Sequence, residues 1–202
     1  MTTEQTDVLV VGGGQAGLAM SEHLGKAGIA HIVLERHRIA ERWRTERWDS
    51  LVANGPAWHD RFPSLEFSCG PDAFPGKEDV AAYFEAFAKK INAPIRCGVN
   101  VSSVRKNEGG PGFIAETSAG RIAARYVVAA TGPFQVPVIP PMVPQNSGVT
   151  QMHSTAYRNP AQLPPGAVLV VGGGSSGAQI ADELLRAGRR VYLSVGPHDR
   201  PP

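Results

Sequence analysis

The chain opens on a short polar stretch that gives way to an unbroken apolar run, Val8-Leu9-Val10-Val11, and then to glycines, Gly12-Gly13-Gly14-Gln15-Ala16-Gly17. About 160 residues later the pattern returns as Ala167-Val168-Leu169-Val170-Val171 followed by Gly172-Gly173-Gly174-Ser175-Ser176-Gly177. An uninterrupted apolar run of this length predicts a strand buried on both faces, the signature of a parallel sheet. After each glycine cluster the apolar positions switch to helical spacing: Leu18, Met20 and Leu24 in the first copy, Ile180, Leu184 and Leu185 in the second. Each predicted helix closes on Ala-Gly, at Ala27-Gly28 and Ala187-Gly188, where glycine suits the left-handed position beyond a helix end. New apolar strands follow at Ile29 to Leu34 and at Val191 to Val195. The chain therefore contains two strand–helix–strand openings, too far apart to be units of a solenoid.

Between the two copies, Arg36 to Arg47 interleaves five arginines with Glu41 and Glu46 and reads as a loop or short helix with a salt-bridged, solvated face. Val80, Phe84, Phe87 and Ile91 fall at helical spacing, which predicts an amphipathic helix over Asp79 to Ile91, ended by Pro94. Strands are expected at Ile95 to Val104, Phe113 to Thr117 and Arg121 to Ala130, with a turn at Glu108 to Gly112. Pro137, Pro140, Pro141 and Pro144 mark a connector leading to the second glycine cluster.

Composition narrows the possible chemistry. Of the 202 residues, 42% are apolar and 19% charged, which fits an ordinary globular protein rather than a disordered one. A net charge of +2 is too mild to suggest nucleic acid or a membrane surface as partner. Cys69 and Cys97 form no C-x-x-C, so a dithiol redox centre is not expected, and the six histidines show no zinc-type spacing. No apolar run approaches the ~18–20 residues of a membrane span, and Met1 to Asp7 does not read as a signal peptide. The expectation is a cytoplasmic protein acting on a small molecule.

A Gly-x-Gly-x-x-Gly between a buried strand and a helix has a mechanical meaning. The first glycine turns the chain, the second admits a pyrophosphate against bare backbone, and the third lets helix and strand pack closely. Glu35 ends the second strand where a carboxylate accepts hydrogen bonds from ribose hydroxyls and repels a 2′-phosphate. The first site is thus expected to hold FAD or NAD. The second strand of the other copy ends Ser194-Val195-Gly196 with no carboxylate, and Arg189, Arg190 or Arg200 are candidates to meet an extra phosphate, which favours NADPH there.

With these residues in place, the chain resembles the flavin-dependent monooxygenases of the two-dinucleotide-domain type, the flavin-containing monooxygenases and their Baeyer–Villiger relatives. The resemblance rests on the first glycine motif with Glu35, on Glu41-Arg42-Trp43-Arg44, and on Ser50-Leu51-Val52-Ala53-Asn54. It continues through Ala130-Thr131-Gly132-Pro133-Phe134 and His153-Ser154-Thr155-Ala156-Tyr157-Arg158-Asn159-Pro160 to the second glycine motif. The fingerprint ahead of that motif departs from the family pattern: Gly148 precedes His153 by five positions, and Asn146 stands in place of a phenylalanine.

The resemblance implies an α/β fold in which a Rossmann-like FAD-binding domain with a small strand-rich insertion occupies residues 1–164, its connector at about 133–164. Residues 165–202 would form only the first strand–helix–strand of an NAD(P)H-binding domain, the remainder lying in a longer parent chain. It further implies that Gly12, Gly14, Gln15, Ala16, Gly17, Glu35, Arg42 and Trp43 hold FAD and that Asn54 stands beside the flavin and nicotinamide as the catalytic-side residue. Gly172, Gly174, Ser175, Ser176 and Gly177 would hold NADPH, and His153 would couple the domains. The implied reaction inserts one atom of O₂ into a soft nucleophile or ketone by way of a C4a-(hydro)peroxyflavin. Two alternatives stay open: an NAD(P)H-dependent flavin oxidoreductase without oxygen insertion, and an inactive nucleotide-binding fragment.

Overall fold

A computed structural model describes residues 3–134, 136–141, 143–144 and 147–197. Asn146 and Arg200, singled out above, lie outside these residues. Strand β1 (Glu4–Val11) starts four residues before the apolar run, because Glu4, Gln5 and Thr6 still pair with Ile122, Ala123 and Ala124 of a long neighbour. Helix α1 (Gln15–Lys26) and strand β2 (His31–Glu35) follow, and Glu35 ends the strand as expected. Short helices α2 (Glu41–Thr45) and α3 (Ala57–Asp60) precede helix α4 (Lys77–Lys90).

The strand expected over Ile95 to Val104 is two strands, β3 (Ile95–Cys97) and β4 (Val101–Lys106). Gly98 breaks the run at φ +75°, a left-handed conformation that an L side chain rarely adopts. The halves then part company. β3 lies parallel to β2, whereas β4 pairs antiparallel with β5 (Phe113–Thr117), which in turn pairs with β6 (Gly120–Ala129). The resulting six-stranded sheet runs β3-β2-β1-β6-β5-β4, with β3, β2, β1 and β6 parallel.

A separate two-stranded parallel sheet joins β7 (Val168–Val171) to β8 (Val191–Ser194) through helix α5 (Ser175–Arg186). One side is covered: Val168, Val170 and Val191 pack with the buried Ile180 and Leu184 against Trp48, Leu51 and Tyr157 of the earlier chain. On the other side Leu169, Val171 and Tyr192 are each about half exposed. No helix of the described residues is long and apolar enough to cross a membrane.

The main core under the first sheet is aromatic. Helix α4 presents Val80, Tyr83, Phe84 and Phe87 to Phe62 and to Leu18 of α1. Phe62 stacks on Phe87 with ring centroids 3.8 Å apart, and its backbone N–H donates to the Tyr83 hydroxyl, which donates onward to the Leu65 carbonyl (both 2.6 Å). The chain over Phe62–Leu65, which has no regular structure, is held by two side chains of α4, Tyr83 and Lys90, whose Nζ donates to the Ser64 carbonyl. The helix starts as its charges require: Asp79 accepts from the Gly76 N–H, and Glu78 and Asp79 stand in the first turn with Lys89 and Lys90 in the last. Phe87 is fully buried, so Phe87→Ala is expected to cost about 3–5 kcal/mol of stability, the range for emptying an aromatic site in a core. Urea unfolding followed by far-UV circular dichroism measures it; a loss under 1 kcal/mol would show that the aromatic stack is not the core of this sheet.

Candidate functional site

The two glycine loops share one backbone geometry. Gly12 and Gly172 sit at φ +111° and +110°, and each closes onto the neighbouring strand through its N–H, to the Leu34 carbonyl at 2.8 Å and the Ser194 carbonyl at 2.9 Å. Gly14 and Gly174 are extended residues directly ahead of α1 and α5. A Cβ on Gly17 would stand 1.9 Å from the Gly12 carbonyl oxygen, and one on Gly177 would stand 1.9 Å from the Gly172 oxygen. Gly12 is further closed in by the Ala130 carbonyl, 2.3 Å from where its Cβ would be. By contrast, no described residue lies within 4 Å of a Cβ placed on Gly14 or Gly174. The first and third glycines of the first motif are required by the protein's own packing. The second is not, and its bare surface faces open space at a helix N-terminus.

Glu35 stands against this loop. Its carboxylate accepts the Gly13 N–H at 2.9 Å and the His37 N–H at 3.0 Å, which fixes its orientation at the tip of β2. A carboxylate offers about four acceptor positions, so this arrangement leaves capacity for further donors.

Next to the N-terminus of α1 a crevice of about 260 Å³ opens, lined by Gln15, Trp43, Asn54, Asp60, Phe67 and Phe84 among others. Gln15, Trp43 and Asn54 were expected at a cofactor, and the fold brings these three together. Trp43 meets Phe84 edge-on, with centroids 6.4 Å apart. Asp60, Phe67 and Phe84 were not anticipated. Asp60 is oriented by the Gly55 N–H at 3.0 Å and by His59 Nδ1 at 2.7 Å. Arg42 does not line the crevice; its Nε donates to Glu46 at 2.5 Å. The rest of this arginine run is largely paired as expected, Arg38 with Glu41 and Arg44 with Glu85. Arg47 is held differently: it donates to the Glu46 carbonyl at 3.3 Å, its guanidinium lies 5.8 Å from the Trp43 ring centre, and burial with Arg42 nearby pushes its pKa down.

Helix α5, which rises from the second loop, reaches the crevice through one side chain, and further contacts join its unit to the first sheet. Gln179, one turn into α5, donates to Asn54 Oδ1 at 3.2 Å and to the Val52 carbonyl at 3.5 Å. Tyr157 donates to Glu183 of α5 at 2.6 Å, and burial together with that carboxylate drives the phenol well above its ordinary pKa. The Asp49 N–H donates to the Arg158 carbonyl at 2.7 Å, while the Asp49 carboxylate accepts from Asn159 at 2.8 Å and Lys77 at 3.0 Å. These two hydrogen bonds, that of Asn159 first, hold its pKa below the usual carboxylate range.

Two expectations are corrected here. Arg189 is not available for a nucleotide phosphate, because its guanidinium donates to the carbonyls of Pro160, Leu163, Pro164 and Gly166 and clamps the segment entering β7. Arg190 lies instead over the Tyr192 ring. Among the described residues His153 does not couple the two sheets through its hydrogen bonds: its Nδ1 accepts the Thr155 N–H within its own turn, and the bridging contacts come from Tyr157, Arg158 and Asn159. Among the described residues there is no cluster of metal-ligating side chains.

The comparisons agree with this two-loop arrangement. A CzcO-like oxidoreductase of Geobacillus kaustophilus is 45% identical over 94% of this chain and 54% of its own length. The indole-3-pyruvate monooxygenase YUCCA1 of rice is 31% identical over 93% of this chain and 47% of its own. Among solved structures, a flavin-containing monooxygenase from Stenotrophomonas maltophilia superposes with a TM-score of 0.86 at 26% identity, over 97% of this chain and 59% of that one. The chain spans about half the length of the curated relatives it matches. Residues 9–200, which hold both glycine loops and the crevice, match the pyridine nucleotide-disulphide oxidoreductase family, and the chain belongs to that family.

Proposed function

We propose that the chain carries the FAD site and the opening of the NADPH site of a flavoprotein monooxygenase, the first within residues 1–164 and the second within 165–202. The observation that supports this reading is a pair of glycine loops of one backbone geometry, the first beside an aromatic crevice through Gln15 and the second joined to that crevice by the hydrogen bond from Gln179 of its helix to Asn54. Family membership supports the coarser part, a flavin and a nicotinamide nucleotide in an oxidoreductase.

The residues present fit these groups. At the first loop, open space over Gly14 admits a pyrophosphate, and the first-turn N–H groups of Gln15, Ala16 and Gly17 have no acceptor inside the helix. Glu35, already oriented by two backbone donors, takes the ribose hydroxyls and disfavours a 2′-phosphate. Trp43 and Asn54 line the place where the flavin ring lies, with Phe67 and Phe84 keeping water from its flank. At the second loop, Gly172, Gly174 and Gly177 play the same backbone roles, Ser175 and Ser176 add hydroxyls, and the tip of β8 at Ser194 lacks the carboxylate that would repel a phosphorylated ribose. When bound, the nicotinamide supplies a hydride and the flavin accepts it and activates O₂. The chain's own residues bind, orient and desolvate, and the partner is a small soft nucleophile or ketone.

Three outcomes are expected. Gly14→Val places a branched side chain in the open position over the loop and abolishes flavin retention; a variant that stays yellow after desalting would overturn the placement. Glu35→Ala weakens FAD by about 1.5–3 kcal/mol, the range for hydrogen bonds to a charged group, read by quenching of flavin fluorescence; an unchanged Kd removes Glu35 from the site. Finally, the protein that carries this chain should consume NADPH and O₂ while transferring labelled oxygen from ¹⁸O₂ to an amine, sulfide or ketone. NADPH oxidation that reduces an added acceptor and never labels an organic product would establish a reductase instead.

A further inference from the structure

Asn54 is held from the other side of the crevice. Its Oδ1 accepts from Gln179 Nε2 at 3.2 Å, and the same nitrogen lies 3.5 Å from the Val52 carbonyl. That second contact decides the polarity. A backbone carbonyl only accepts, so the end of the Gln179 amide that faces Val52 is the NH₂ end. An NH₂ group meeting Asn54 must meet its oxygen. The Asn54 Nδ2 is then the end left to the crevice, and it has no hydrogen-bond partner among the described residues. Gln179 stands one turn beyond Ser175 on the same face of α5, so the element that sets this polarity is the helix rising from the second glycine loop.

We propose that Gln179 is a positioning residue: it locks the Asn54 carboxamide so that a donor, not an acceptor, faces the ligand in the crevice. This rests on the reading of the crevice as the flavin site. The ring edge of a flavin carries carbonyl oxygens and imine nitrogens, which accept. A fixed N–H donor binds that edge and favours the electron-rich reduced form, whereas a carboxamide free to rotate presents its oxygen part of the time. Asn54 alone does not determine which end faces inward, because its two ends have nearly the same shape.

The test is a double-mutant cycle read by FAD affinity and by the midpoint potential of the flavin-loaded protein, with thermal melting as a control on folding. Gln179→Met keeps length and volume and removes the amide. It is expected to raise the Kd for FAD about three- to tenfold, the reach of one neutral hydrogen bond, and to lower the potential. Gln179→Ala takes its place if the methionine variant does not fold. In an Asn54→Ala background the same Gln179 substitution should change neither quantity further. Gln179→Glu, an acceptor of equal length, should draw Asn54 Nδ2 away and exceed the methionine variant in effect, and that excess should vanish when Asn54 is alanine.

If Asn54→Ala weakens FAD but Gln179→Met does not, or if the two effects simply add, the positioning role is overturned while the flavin site stands. If Asn54→Ala leaves affinity and potential unchanged, the placement of Asn54 beside the flavin falls, and the inference falls with it.

Discussion

A Cβ on Gly17 would sit 1.9 Å from the Gly12 carbonyl oxygen, and the architecture of the first sheet follows from the absence of that atom. With hydrogen at both positions, α1 can rise from β1 in direct backbone contact. Its N-terminus then lies at the carboxyl edge of the sheet and not displaced by the width of a side chain. Gly12 also touches the Ala130 carbonyl, so the turn is packed on both sides and β6 stays in register with β1. The second loop repeats the approach of Gly177 to Gly172, yet no described residue lies within 4 Å of a Cβ on Gly172, whereas the Ala130 carbonyl just beyond β6 closes in Gly12. The helix-to-strand contact is therefore intrinsic to the loop, while the flanking strand is a separate support.

The core above that contact is built to hold irregular chain. Phe62 is stacked between the ring of Phe87 and that of Tyr83, and the Tyr83 hydroxyl serves both the Phe62 N–H and the Leu65 carbonyl. Loops that lack their own ladder need such partners for their buried backbone groups. The crevice wall made by Asp60 and Phe67 is continuous with this stretch, so its shape derives from α4 and not from the glycine loop beside it. One cost is visible at the joint between the two sheets, where the Trp48 indole N–H is buried without a partner among the described residues. An unmet donor of this kind costs about 1–3 kcal/mol, and the apolar packing around Trp48 offsets it.

Both strand–helix–strand units and the amphipathic α4 were legible because they rest on periodicity, which a linear sequence displays directly. Helix α4 began two residues before the expected Asp79, since the last apolar residue before Val80 lies beyond a cap and carries no periodic signal. The division of Ile95 to Val104 was missed although Gly98 marked it; β-branched residues on either side outweighed one glycine. Asn54 and Trp43 came from the resemblance and not from spacing. Asp60, Phe67 and Gln179 had no signal at all, because they meet only when three separate segments fold over α1. Arg189 misled for a related reason: its charge suggested an anion, but the turn entering β7 gathers four carbonyls around it.

The hydrogen bonds at Asp49 give residues 45–54 a mixed allegiance. By sequence they lie between β2 and α3 of the first sheet, yet Asp49 is bonded to Arg158 and Asn159, Thr45 accepts from Arg158, and Asn54 is bonded to α5. The same stretch is equally bonded to α4: the Lys77 N–H donates to the Leu51 carbonyl, the Ala53 N–H donates to the Pro75 carbonyl just ahead of the helix, and Lys77 Nζ donates to Asp49. It therefore works as a rivet driven through both sheets. One end is fastened to the helix that carries Phe84, the other to Arg158, Asn159 and Gln179, and the Asn54 wall of the crevice is the shank between them.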